Sequence, residues 1–288
     1  MERYVDLHLH STCSDGVYTP EEVVRLAVDS GLAAIALADH DSISGVAVAC
    51  RAGEELGIEV LTGVELSVVW NQWHDIHLLG YGFDLSHPGL CEALGKFRTF
   101  REGRNRKIVD NINRLLIEQD KEPVDFARVA ELADGALGRP HIARALMEKG
   151  HAHDMEDAFR RYLRPCNVEK WAFPVEQAIE LIHSAGGVAV LAHPPFITPR
   201  RSRLERLVVT FAGMGMDGLE IYNSGTGDDQ FPWYVQLARK HGLIVTGGSD
   251  FHGIEGNHEQ LGYIRGQQRI PYSCVEEIRR CLEKRANV

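Results

Sequence analysis

The chain has 288 residues and a mass of 32.1 kDa, enough to bury the core of one large domain carrying an insertion. Hydrophobic residues make up 44% and charged residues 25%, which excludes a wholly disordered chain, and no apolar run approaches the ~18 residues of a membrane span. The net charge of −10 argues against a general nucleic-acid coat protein, and six scattered cysteines without a CxxC pair point to a reducing, cytoplasmic setting. In chain order, Tyr4–Leu9 reads as a strand. Thr19-Pro20-Glu21-Glu22 opens a helix with a Thr cap, an early Pro and acidic residues near its N-terminus, and Gly31 closes it. A strand over Ala33–Ala38, a helix from about Ser44 to Leu56 and a strand over Ile58–Val64 follow. Leu66 to Trp70, then Asn71-Gln72, then a run to Tyr81 predict a hairpin. Residues 89–165 are helical by pattern and hold no convincing strand. Strands over Val188–Ala192, Gly218–Tyr222 and Leu243–Thr246 then alternate with helices near 174–185, 202–214, 231–241 and 275–285. Such alternation predicts an α/β barrel or a doubly wound sheet.

The expected organisation is a discontinuous body, residues 1–97 and 168–288, interrupted by a helical insertion over 98–167. The insertion holds 14 Lys/Arg against 12 Asp/Glu, whereas the rest holds 17 against 29. An acidic body suits cations, and a locally basic segment suits an anionic ligand.

Polar residues able to bind metal recur at the ends of the predicted strands. Asp6-Leu7-His8-Leu9-His10 ends the first, and strict alternation would put Asp6, His8 and His10 on one face. Asp39-His40-Asp41, Glu65, His77, His193-Pro194, Glu220 to Asn223 and Ser249-Asp250-Phe251-His252 follow in turn. The C-terminal ends of strands are where α/β folds build their sites. The candidate ligands are His8, His10, Asp15, His40, Glu65, His77, His193, Asp250 and His252. These are too many for one tetrahedral ion, but they could serve two or three if a carboxylate bridges. Mixed nitrogen and oxygen donors favour Mn, Zn or Fe over Ca or Mg.

Asp-x-His-x-His followed by Ser11 to Gly16, Asp39-His40, Gly63-Val64-Glu65, Ala192-His193-Pro194 and Gly248 to His252 resemble the PHP (polymerase and histidinol phosphatase) family. The resemblance covers both flanks of the insertion. It implies a distorted (β/α)7 barrel and a trinuclear centre of two to three divalent ions, Mn(II) first, with Zn or Fe as alternatives. Carried over motif by motif, one ion takes His8, His10, Glu65 and Asp250. A second shares Glu65 and takes His77 and His193, and a third takes Asp15, His40 and His252. Where some members of the family place a histidine for the third ion, this chain has Asp15. The catalytic roles fall on Glu65, Asp250, His193 and His8, with a metal-bridging hydroxide as the expected nucleophile.

The insertion holds the substrate candidates. Arg101 and Arg104 lie on a predicted helix, and Gly138-Arg139-Pro140-His141 reads as a helix start suited to phosphate. Asn223 is a further candidate beside a strand end. Asp39, Asp41 and His141 are the alternatives for a general acid. Trp70, Trp73, Phe196 and Trp233 could stack on a base, although each reads first as packing. A barrel interrupted in this way is similar to the TrpH/RNase AM branch of the family and its 3',5'-nucleoside bisphosphate phosphatases. That resemblance implies a small nucleotide substrate and removal of the 3'-phosphate from pAp-like molecules. The alternatives are 5'-3' trimming of short 5'-phosphorylated RNA, histidinol phosphate hydrolysis and a non-catalytic metal-binding module. No obligatory protein partner and no membrane association are expected.

Overall fold

A computed structural model describes residues 2–133, 137–169, 171–254 and 260–287. The chain forms two compact units, Met1–Leu94 with Ala172–Val288, and Gly95–Trp171. The strands are β1 (Tyr4–Leu9), β2 (Ala34–Leu37), β3 (Glu59–Trp70), β4 (Trp73–Tyr81), β5 (Phe173–Pro174), β6 (Val188–Leu191), β7 (Gly218–Tyr222), β8 (Ile244–Gly247), β9 (Tyr263–Ile264) and β10 (Gln268–Pro271). The helices are α1 (Pro20–Asp29), α2 (Val46–Leu56), α3 (Pro88–Glu118), α4 (Phe126–Glu131), α5 (Arg139–Glu148), α6 (Met155–Ala158), α7 (Val175–Ser184), α8 (Pro194–Ile197), α9 (Arg201–Gly213), α10 (Phe231–Lys240) and α11 (Ser273–Ala286). Among the described residues, no helix is long and apolar enough to cross a membrane, and all six thiols are free.

The first unit is a distorted seven-stranded barrel. Its sheet runs β8-β7-β6-β4-β3-β2-β1, with β10 and β9 continuing beyond β1 and β5 pairing with β3. β1, β2 and β3 are parallel, as are β6, β7 and β8, whereas β4 runs against both neighbours. The segment after β8 closes the circle. The Asp250 N–H donates to His8 O and the His10 N–H to Phe251 O, each at 3.0 Å. The expected third strand and the first arm of the hairpin are one continuous strand, β3, because the pairing with β4 runs through from Gly63 to Trp70. Asn71, at φ 49°, makes the turn.

Apolar residues on the inner face, among them Val5, Leu7, Ala34, Ala36, Tyr81, Val188 and Val190, form a core against Val275 and Ile278 of α11. Leu9, Ile35 and Leu37 face outward onto Val23 and Ala27 of α1 and Ala49 of α2. Farther along the strands the inner face turns polar, at Glu65 on β3, His77 on the reversed β4 and Glu220 on β7. The second unit has its own core of Ile108, Ile112, Leu116, Val129, Ile142, Leu146 and Tyr162. Its α5 opens at Arg139 with Pro140 in the first turn, and the His141 ring accepts from the Gly138 N–H at 3.0 Å.

Candidate metal centre

A β-bulge decides which side chains of β1 reach the centre. Asp6 lies beside Ile35 of β2 and Leu9 beside Leu37, so three steps of β1 span two of β2. The alternation resets, and Asp6 comes to share the outward side of Leu9. Its carboxylate accepts from the Ser249 N–H at 2.9 Å, the Ser249 hydroxyl at 2.6 Å and the Gly262 N–H at 2.7 Å. The expectation that Asp6 faces with His8 and His10 is therefore corrected. Asp6 holds the turn that carries Asp250, and burial pushes its pKa up to about 6.

His8, His10 and Glu65 are fully buried and lie together. His8 Nε2 is 3.3 Å from Glu65 Oε2 and 3.5 Å from Asp250 Oδ1, and His10 Nε2 is 3.1 Å from Asp250 Oδ1. Glu65 is the hub. Its Oε2 is 2.8 Å from His40 Nδ1, and its Oε1 is 2.9 Å from His77 Nδ1 and 3.0 Å from His193 Nε2. A further group gathers His10, Asp15, His40 and His252, with His252 Nε2 3.4 Å from Asp15 Oδ1. The structure thus brings together every candidate ligand read from the sequence. His10 and His40 each belong to two of these groups.

Buried atoms of the site make no aligned hydrogen bond, among them His8 Nε2, Glu65 Oε2 and Asp15 Oδ1, although ring nitrogens or carboxylate oxygens lie 2.8–3.4 Å from each. An apolar setting would make such atoms costly, and cations among them would satisfy all three. The donor set of imidazoles and carboxylates suits a borderline divalent ion. The electrostatics agree. Burial opposes the charge of Glu65, yet His40, His77 and His8 hold its carboxyl well below the usual range. Burial also works against His40, but Glu65 and Asp15 raise it to about 9. His10 is pushed down to about 4, by burial first and then by His252.

Surrounding groups aim the ligands. The His252 Nδ1 hydrogen is donated to the Asp250 carbonyl at 2.8 Å, so in the neutral ring Nε2 carries the lone pair. His8 Nδ1 meets Glu220 Oε1 at 2.8 Å, which turns Nε2 toward Glu65. Glu220 Oε2 also accepts from the His193 N–H at 2.7 Å. The role of Glu220 was not read from the sequence, although it lies on a strand, β7, as Glu65 and His77 lie on β3 and β4. His193, Asp250 and Asp41 adopt φ of 27°, 59° and 52°, conformations that non-glycine residues take only where their surroundings enforce them.

Other expectations are corrected. Asp39 accepts from the Ser11 N–H, the Ser11 hydroxyl and the Ser14 hydroxyl, and Asp41 accepts from the Ser67 N–H and hydroxyl. Both carboxylates brace loops and are not placed as general acids. Asn223 is 1% exposed. Its Nδ2 donates to Glu220 O at 2.7 Å, and its Oδ1 accepts from the Gly225 and Thr226 N–H groups, so the side chain builds a turn and is not placed to bind substrate. In the second unit, Arg104 donates to Val168 O at 2.7 Å and Asn167 Oδ1 at 2.8 Å. Its pKa falls to about 10, through burial first and then the charges of Arg139 and Arg101.

A seven-stranded barrel whose strand ends gather these side chains is the framework of a metal-dependent hydrolase. The PHP domain matches residues 6–166. A 5'-3' exoribonuclease of Haemophilus influenzae is 38% identical over 256 residues, covering 88% of this chain and 91% of its own. A 3',5'-nucleoside bisphosphate phosphatase of Chromobacterium violaceum is 36% identical over 272 residues, covering 90% of each chain. A solved structure from Bifidobacterium adolescentis, named for a metal-dependent phosphoesterase, superposes with a TM-score of 0.81 at 30% identity, covering 97% of this chain and 96% of that one. The chain belongs to the PHP family of phosphoesterases.

Proposed function

We propose that the protein is a phosphomonoesterase that removes the 3'-phosphate from 3',5'-nucleoside bisphosphates, converting pAp to AMP. The observation that carries this reading is the metal centre of the first unit, with its buried imidazoles and carboxylates gathered around Glu65, in a chain 36% identical over 272 residues to a 3',5'-nucleoside bisphosphate phosphatase. Within the second unit, the 8% exposed Arg104 is fixed by Val168 and Asn167 with the positive charges of Arg139 and Arg101 nearby. Like charges held together at a cost in burial suit a multiply charged anion, and planar guanidinium groups suit phosphate. His141 adds a donor, because Nδ1 accepts from Gly138 and the ring hydrogen therefore lies on Nε2.

The scissile phosphate would go to the metal centre. His8, His10, Glu65 and Asp250 would hold one ion, Glu65, His77 and His193 a second, and Asp15, His40 and His252 a third, with Mn(II) the first candidate and Zn or Fe the alternatives. When bound, such ions neutralise phosphate oxygens and bring the ionisation of water toward neutral pH. The chain's own part is orientation. Glu220 and the Asp250 carbonyl fix the ring nitrogens of His8 and His252, and Glu65 anchors the imidazoles around it. Arg101, Arg104, Arg139 and His141 stay candidates for holding an anion within the second unit.

The Haemophilus influenzae relative supports a second reading, 5'-3' hydrolysis of short RNA. The net charge of −10 disfavours a long polymer. Phosphate and nucleotide release would be followed with Mn(II) from pAp, AMP, a 5'-phosphorylated short RNA and histidinol phosphate. Conversion of pAp to AMP with AMP spared is the expected result. Mononucleotides from the RNA with pAp untouched would replace the first reading with the second.

A further inference from the structure

We infer that Phe196 is the platform on which the base of a nucleotide substrate stacks; this rests on the nucleotide reading above. Phe196 follows His193 in the four-residue helix α8, whose N-terminal turn carries Pro194 and Pro195. The sequence pattern assigns the ring first to packing, yet it is 62% exposed, one of the most exposed large hydrophobic side chains among the described residues. Its position is nevertheless fixed. The Phe196 N–H donates to His193 O at 3.0 Å, and the ring centroids of His193 and Phe196 lie 5.7 Å apart. A Cβ at Gly225 would stand 3.1 Å from Phe196 Cζ and 3.1 Å from Pro195 Cβ, so the absence of that atom lets the Gly225 backbone lie close behind the ring. The Gly225 turn is rigid in its own right, because Asn223 ties it to the carbonyl of Glu220.

An apolar ring is therefore braced on one side and open on the other, beside a histidine that approaches both Glu65 and Glu220. Fixing the ring in advance lowers the entropy cost of stacking a planar ligand on it. The same elements explain why Asn223 serves the site without touching substrate: it builds the support under the ring. A flat aromatic group one sugar away from a phosphate at His193 matches this surface, and a purine would cover more of it than a pyrimidine.

The test compares ligands with and without a base. Calorimetric titration of the Mn(II)-loaded protein with AMP and with ribose 5-phosphate gives the ratio of the two Kd values for wild type, Phe196→Ala and Phe196→Trp. Wild type is expected to favour AMP by about tenfold, within the range measured for base–aromatic stacking. Phe196→Ala should bring the ratio near one, and Phe196→Trp should restore it. A ratio that survives in Phe196→Ala, or is absent from wild type, overturns the platform. Failure of wild type to hydrolyse pAp would instead count against the proposed reaction, which is a separate measurement.

Discussion

Glu220 is buried, and each of its carboxylate oxygens orients part of a neighbouring histidine: the ring of His8 and the backbone of His193. Residues of this kind typically govern metal affinity by ~10–100-fold. Glu220→Gln keeps the shape but removes the charge, so Mn(II) affinity measured by calorimetry should fall by about that factor while circular dichroism stays unchanged. Equal affinity in the variant would remove Glu220 from this role. Asp217 bears on stability through its buried contacts. It accepts from His183 at 2.9 Å, the Ala189 N–H at 2.8 Å and Arg285 at 2.5 Å. Burial favours its neutral form, but these partners outweigh burial and depress its pKa. A depressed carboxyl pKa gives stability that is present above the unfolded value of about 3.9 and lost as pH falls toward the folded value. Asp217→Asn should therefore cost about 1–3 kcal/mol at pH 7 in urea unfolding. The gap between variant and wild type should narrow in acid, and a gap that is constant with pH would disprove the assignment.

At the scale of elements, barrel closure depends on one close approach. A Cβ on Gly248 would overlap Cβ and the backbone nitrogen of His8, where the segment after β8 crosses β1. Gly248→Ala must push these segments apart, displacing Asp250 and His8 together. Overpacking of this kind costs about 1–3 kcal/mol or more, and Mn(II) affinity should fall with it. Chemical unfolding and metal titration of the variant read the two effects, and a variant with wild-type values in both would show that the closure is dispensable. The bulge in β1 has the same kind of consequence. It lets Asp6 brace Ser249 from one side of the strand while His8 and His10 serve the other.

For the whole molecule, the centre brings carboxylates and imidazoles from both ends of the chain to one end of a barrel, and buried atoms there make no aligned hydrogen bond. A ligand that binds only the folded state stabilises it. Each ion at ~100 times its Kd adds about 2.7 kcal/mol. Thermal melts with Mn(II) and with excess chelator should therefore differ by several degrees, and the chelator should abolish phosphate release. Coincident melting curves would show that the centre contributes nothing to folding.

The residues that the structure gathers around Glu65 were each singled out in the sequence by type and by a neighbouring apolar run. His193 directly follows the apolar run of β6 and Asp250 comes shortly after β8, whereas Glu65 lies inside β3, which continues to Trp70. The barrel expected from the family motifs is also the fold observed. Side-chain facing at Asp6 was not legible, because a bulge is defined by the register with a partner strand and not by the strand's own sequence. Nor were the tasks of Glu220, Asn223, Asp39 and Asp41, whose types suit a ligand, a substrate contact or a proton donor equally well. The distances to His8, Gly225, Ser11 and Ser67 decided among these roles. Phe196 reads as core in a linear pattern, and only the short helix after His193 and the bare backbone of Gly225 leave its ring exposed yet fixed. Chemical capacity belongs to the residue, but use depends on what the fold places within hydrogen-bond reach.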